Sequence, residues 1–471
     1  MKEVRMGGII FLVIYTVVMI AVTAIFSKRH GNKDDFYVGN RKMTPVASAM
    51  SIAATWIWAP ALFTSAEKAY TNGFAGLFWF TVPNILCLLL FIPFARKIRR
   101  EMPEGVTLSG YIYDRYNSKP ARNIYLVQLS ALSVLSTAVQ LLAGGKIMSM
   151  VTGLPFPVMT VILAAIAYSY SRISGIQASI ITDDLQMALI LGACALFVPW
   201  ALSNPGGLQN LTQGLGGFSG EYRNLFSGKG FEVFLGFGLP TAIGLIAGPF
   251  GDQCFWQRAF CTDEKQIGKA FGLGALFFAV APISMGVLGF IAAGSGFVPS
   301  STGTVNFELI TSSFPAWTVA PFLFMLISGL LSTVDSNMCA FSALTNDMVR
   351  QKNNQTGARV SMLALAAAGI AIANIPGLTV TQLFLFYGTL RATTLLPTIM
   401  TLLGVKLTGA GVTTGVAVAF AAGLPVFAYG NILNLSAYKT AGSLLTVFSA
   451  GLISIFVSSV HRTSERIAKH S

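Results

Sequence analysis

Thirteen apolar runs, each of the ~20 residues needed to cross ~30 Å of hydrocarbon as a helix, follow one another along this 471-residue chain. They centre near residues 16, 57, 85, 134, 163, 189, 240, 281, 330, 365, 391, 420 and 449. Only 10% of the residues are charged and 54% are hydrophobic, whereas a soluble domain carries roughly 25% charge. The expected class is an all-α polytopic membrane protein with a lipid bilayer as solvent. The first run, Met6 to Phe26, is too long for a signal-peptide core and no small-residue cleavage site follows it, so it is expected to stay as a span.

The net charge of +13 could suggest nucleic acid. The basic residues instead sit in short clusters between apolar runs, where topology determinants belong. Lys28, Arg29, Lys33, Arg41 and Lys42 follow the first run, Arg96, Lys97, Arg99 and Arg100 the third, and Arg172 the fifth. Arg258, Lys265 and Lys269 follow the seventh, Arg350, Lys352 and Arg359 the ninth, Lys406 the eleventh, and Arg462, Arg466 and Lys469 the last. Arg223, Lys229 and Lys439 are the exceptions. By the positive-inside rule the N-terminus lies outside, the C-terminus in the cytoplasm, and nucleic acid is not expected as a partner. The five cysteines lack metal-type spacing, the three histidines are terminal or lie in a basic loop, and no nucleotide loop or nucleophile with its base is found, so neither an enzyme nor a metal cluster is expected.

Two spans read as broken. The second carries "AATWIWAPAL", with Pro60 in mid-span, and the seventh gathers Gly236, Gly238, Pro240, Gly244, Gly248, Pro249 and Gly251 within one helix length. Non-helical backbone at membrane depth is tolerated where it is buried or lines a cavity. Spans two and seven are five apart, the placement expected if two five-helix repeats each open with a discontinuous helix.

Span nine carries the polar residues that hydrocarbon least tolerates. On a helix Gly329, Ser332, Asp335, Ser336 and Cys339 share one face, with Thr333 beside Ser332. Such a stripe serves either close packing of small residues or a hard cation, and Asp335 adds a charge that packing does not need. Backbone carbonyls of an unwound facing helix could supply further oxygens, and broken span two is the obvious donor. In span six, Asp183 and Asp184 point about 100° apart, so at most one can face the cavity of Asp335. Asp252 and Arg258 are expected to form a structural or gating pair, Glu67 and Lys68 to reach for water, and Arg391 to face a polar cavity or a partner acid. Trp56 and Trp58, on either side of Ile57, are placed to line a cavity.

These residues resemble the sodium:solute symporters, the family of the bacterial proline, pantothenate, sialic acid and glucose-type carriers. The motifs "DDFYVGNRKMTPVASAMSIAATW", "AVQLLAGGKIMSMVTGLP", "SGIQASIITDDLQ", "DQCFWQRAF" and "GLLSTVDSNMCAFSALTNDMVR" carry the likeness over most of the chain, and "GPFGDQCFWQRAF" is most similar to the urea-transporter branch. The resemblance implies a LeuT-like fold: an extra N-terminal helix and basic loop over residues 1–42, a ten-helix core of inverted repeats over 43–405, and two more helices with a short basic tail over 406–471. It implies a first Na⁺ site on the carbonyls of Ala54 and Ile57 and on Gly329, Ser332 and Thr333. A second site would fall on Asp183, Ser332, Asp335 and Ser336; Asp335 stands where a hydroxyl is usual, which leaves Na⁺, a proton or no ion open. The family's solute surfaces map onto Trp56, Trp58, Trp79 and Phe80, with Gly248 opposite, and Arg391 joins them as a candidate contact.

The expectation is a sodium-coupled secondary active symporter of the cell membrane that imports a small polar organic solute by alternating access. Glu67, Lys68 and Arg391 depart from the urea pattern and favour a zwitterionic or anionic solute. The alternatives are a proton-coupled carrier of a urea-like or carboxylate solute, or a channel or sensor on the same scaffold. Oligomeric state is not legible.

Overall fold

The computed structural model describes residues 2–27, 35–39, 41–349 and 354–470, without the side chains of residues 2–6, 27, 35 and 465–470. Of the basic residues used above, Lys28, Arg29, Lys33, Arg350 and Lys352 lie outside the described residues, as do the side chains of Arg466 and Lys469. The described chain is helical apart from loops and one isolated bridge between Met43 and Thr262.

Among the described residues, twelve helices are long and apolar enough to cross a membrane, from Gly7–Phe26 to Ser436–Ser464. The thirteenth expected span, the second, is interrupted: Pro45–Trp56 is one helix and Ala59–Leu62 the next. Pro60 causes the interruption. A proline lacks an N–H and its ring collides with the carbonyl four residues earlier, here Trp56, where the helix stops. Ile57 and Trp58 leave helical geometry, with ψ of 77° and 177°. The restarted helix is capped from outside, because Gln140 Oε1 in span four accepts the Ala59 N–H at 2.7 Å.

The helix Thr64–Glu101 would be about 57 Å long if straight, far more than a bilayer needs. It turns at Asn72 and Gly73, the latter at φ 54°, ψ −149°, a region open essentially to glycine alone. Residues up to Thr71 complete span two, and span three begins at Phe74. Span seven is discontinuous as well. It opens as Gly228–Val233, passes through a π-turn over Phe234–Gly238, continues as Leu239–Ile246 and Gly248–Gly251, then stretches out at Asp252 before the helix Gln253–Cys261.

Spans four, nine and eleven are the most enclosed, whereas spans one and thirteen present Val13, Val17, Leu452 and Phe456 outward. Apolar side chains on the outer surface are what a hydrocarbon solvent requires. The protein is therefore a multi-pass membrane protein whose polar residues are concentrated in its centre.

Candidate functional site

The break in span two creates the first element of the site. The last intrahelical bond runs from Ile57 N–H to Ala53 O at 2.7 Å, so the carbonyls from Ala54 onward lose their partners four residues on. Span nine meets them. Ser332 Oγ donates to Ala54 O at 2.8 Å and Thr333 Oγ1 to Thr55 O at 3.2 Å. Both hydroxyls also lie 3.2 Å from Gly329 O. The glycine lets the two segments approach closely, because a Cβ on residue 329 would stand 2.8 Å from Leu62 Cδ1 and 3.0 Å from Ile57 O. Ala54, Ile57, Gly329, Ser332 and Thr333 are thus brought together, and they present only neutral oxygens.

One turn further along span nine lies a charged cluster, wholly buried. Asp335 accepts from Ser179 Oγ at 2.6 Å, Tyr170 OH at 2.9 Å, and Thr182 Oγ1 and Ser336 Oγ at 3.4 Å. Its partners are all hydroxyls. Asp183 accepts from Ser51 Oγ at 2.6 Å and pairs with Arg258 at 2.9 Å. The same Arg258 nitrogen donates to Ser336 Oγ at 2.7 Å, while its other nitrogens take Ser51 Oγ and Cys254 O. Asp183 and Ser336 are therefore bridged by a guanidinium, and Ser332 turns away from them toward the break. Asp184 is only partly buried, as the 100° rule requires.

The expected Asp252–Arg258 pair does not form. Asp252 is the extended residue that caps Gln253–Cys261 through Cys254 N–H, and its other oxygen accepts from Arg391 at 2.9 Å and Tyr387 OH at 2.8 Å. The helix that starts at Gln253 carries Arg258 away to Asp183. Proximity in sequence misled because Asp252 is itself the extended residue at the break, and the helix that starts after it points Arg258, six residues on, another way.

Arg391 sits at the centre of an aromatic enclosure. Its guanidinium lies 4.8 Å from the Trp56 ring and 5.3 Å from that of Trp58, and it donates to Tyr387 OH one helical turn back. Trp56 and Trp58 stack at 6.1 Å, Phe384 and Tyr387 edge onto Trp58, and Phe80 packs on Phe384. Gly248 leaves the space that the Trp56 indole fills, which brings the two discontinuous helices into contact. Trp56, Trp58, Phe80, Gly248 and Arg391 form one cluster. Trp79 does not join it; its indole packs on Phe234 and over Gly238, because neighbouring residues of a helix face different ways. Arg391 Nε and Nη1, Trp58 Nε1 and Asn84 Oδ1 are buried without partners, although buried polar groups are almost always paired.

Tyr170, Ser179, Thr182, Gln140, Tyr387 and Asn84 were missed by sequence reasoning. Ser179, Asp183 and Gln186 recur at helical spacing on one face of span six, which was a usable signal. Tyr170 and Gln140 carried none, since a single tyrosine or glutamine in an apolar run reads as ordinary.

The profile of the sodium:solute symporter family matches residues 36–376. A urea-proton symporter of Oryza sativa subsp. japonica is 22% identical over 90% of the chain and 64% of its own length. A sodium/pantothenate symporter of Haemophilus influenzae is 23% identical over 72% and 71%. The chain spans less than two thirds of the urea transporters it matches. Among solved structures, a substrate-bound, outward-open Na⁺-coupled sialic acid symporter superposes with a TM-score of 0.74 at 17% identity, over 95% of this chain and 98% of the other. The fold is LeuT-like.

Proposed function

The chain belongs to the sodium:solute symporter family, a family of transporters rather than enzymes, and on that premise we propose that it is a sodium-coupled secondary active symporter importing a small polar organic solute. The observation that carries this reading is the meeting of Ser332 and Thr333 with the orphan carbonyls of span two, at 2.8 and 3.2 Å. If the two hydroxyl hydrogens turn to Gly329 O, the hydroxyl lone pairs face the carbonyls of Ala54 and Thr55, with Ile57 O beside Gly329. A hard cation is then offered oxygens from two helices, and its charge replaces the two hydrogen bonds that join them.

Coupling follows from sharing a short stretch of chain. Ile57 offers its carbonyl to the cation while its neighbours Trp56 and Trp58 form the wall of the solute site. A cation that orders the break lowers the cost of forming that wall, and the solute returns the effect by the same factor. Alternating access then opens the two sites together, first to one face of the membrane and then to the other. The unpaired donors of Arg391 and Trp58 favour a solute with a carboxylate or carbonyl acceptor.

At the second position, the reading supported best is that Arg258 supplies the positive charge between Asp183 and Ser336. Asp335 keeps a reading of its own: a carboxyl held only by hydroxyls is suited to carry a proton, so coupling through both Na⁺ and H⁺ is the second reading. The division into residues 1–42, 43–405 and 406–471 and the placement of the C-terminus in the cytoplasm belong to the same proposal.

The test is a thermal-shift matrix on the purified protein, with urea, amino acids, short carboxylates, sialic acid and sugars in sodium or in choline buffer. Ligands that bind the folded state raise its stability. We expect at least one solute whose shift grows in sodium and shrinks in Thr333→Ala. A solute response equal in both buffers and in the variant would overturn sodium coupling.

A further inference from the structure

Away from the centre, a cavity of about 460 Å³ lies between the end of span two, the start of spans seven and eleven and the last two spans, with Glu67, Lys68, Gln382, Asn434 and Lys439 in its walls. That size suits a small organic ligand. The span-eleven helix Val380–Ala392 separates it from the aromatic centre: Leu385 faces the cavity and Phe384 faces Trp58.

The lining holds two acids and two lysines, but their pairings leave one lysine without an acid. Its acids are Glu67, 3.6 Å from Lys68 and bonded to Thr381 Oγ1, and Glu232, paired with Lys229 at 3.2 Å. Each acid therefore has its own lysine. Lys439 remains, only 6% exposed, with a single hydrogen bond at 2.9 Å to Asn434 Oδ1. No carboxylate among the described residues lies within ion-pair distance of it. Burial of an ammonium without counter-charge is costly. Its position also opposes the helix dipole, since Lys439 stands in the first turn of Ser436–His470, where positive charge is disfavoured. Two independent penalties at one residue call for a compensating anion.

We propose that this cavity binds a small monocarboxylate, with the Lys439 ammonium as its counter-charge, Lys68 on the facing wall and the side-chain amides of Gln382 and Asn434 as further polar contacts. The site is separate from the Trp56–Trp58 centre, and its most buried charge comes from the thirteenth span. The proposal does not depend on sodium coupling or on transport.

The experiment titrates the purified full chain with sodium propionate against equal sodium chloride and reads thermal stability. For the wild type we expect a saturable rise with propionate that chloride does not reproduce. Lys439→Gln should weaken the apparent affinity at least tenfold, and Lys439→Arg should retain it. Should Lys439→Gln not purify as a monodisperse protein, Lys68→Gln on the facing wall is expected to weaken the response severalfold. Absence of a propionate response in the wild type, or an equal response in the purified Gln variant, would overturn the proposal.

Discussion

Arg258 reaches Asp183 across 2.9 Å in the middle of the helix bundle, with both side chains at most 1% exposed. The pair ties the helix after the second break to span six, and through Ser336 it also touches span nine. Removing one partner of a buried pair strands the other charge, at a cost of about 3–5 kcal/mol. We expect Arg258→Gln to lower the melting temperature of the purified protein sharply, and Asp183→Asn combined with Arg258→Gln to recover part of the loss. Strictly additive losses would show that the two residues do not act as a pair.

Asp335 can be separated from the sodium residues by an isosteric change. Asp335→Asn keeps an acceptor for Ser179 or Tyr170 but cannot gain or lose a proton near neutral pH. We expect it to retain stabilisation by sodium and to lose any solute uptake driven by a pH gradient in proteoliposomes. Uptake that still follows the pH gradient in this variant would place the proton elsewhere.

Arg391 is held by Asp252 and by the faces of Trp56 and Trp58, with two donors left over. Arg391→Lys removes the planar fork that fits this enclosure. Solute affinity should fall by about 2–5 kcal/mol, the cost of truncating a buried charged contact, with sodium affinity nearly unchanged. The reverse pattern would make the residue structural.

Gly73 offers a test of the fold. Any Cβ at this position would stand 2.6 Å from Leu215 O, and its φ of 54° disfavours other residues. Gly73→Ala is expected to cost about 1–3 kcal/mol, read as a lower melting temperature, because spans two and three could not separate at this turn. A neutral result would mean that the turn tolerates a side chain.

Much of the fold was legible because hydrocarbon permits few solutions. Twelve of the thirteen apolar centres fall within helical segments, and the other, residue 57, falls at the break itself, which Pro60 marked to within a few residues. The meeting of span nine with the break of span two was reachable through family resemblance and through the helical face of span nine, although Thr333 meets Thr55 O rather than Ile57 O. What escaped was pairing over distance. Arg258 was assigned to Asp252, six residues away, because the extended residue that redirects the chain carries no strong signal of its own. Trp79 was grouped with Phe80 although adjacent helical residues diverge by about 100°. The hydroxyls around Asp335 come from spans five and six, and only the packing of those spans on span nine makes them neighbours.

The central claim is a sodium site between span nine and the break of span two, and equilibrium binding of radiolabelled sodium to the purified protein measures it without knowledge of the solute. We expect saturable binding in the wild type, loss of at least tenfold in affinity in Ser332→Ala and Thr333→Ala, and little change in Asp335→Asn. Binding that survives both hydroxyl deletions, or that disappears only with Asp335, would contradict the account.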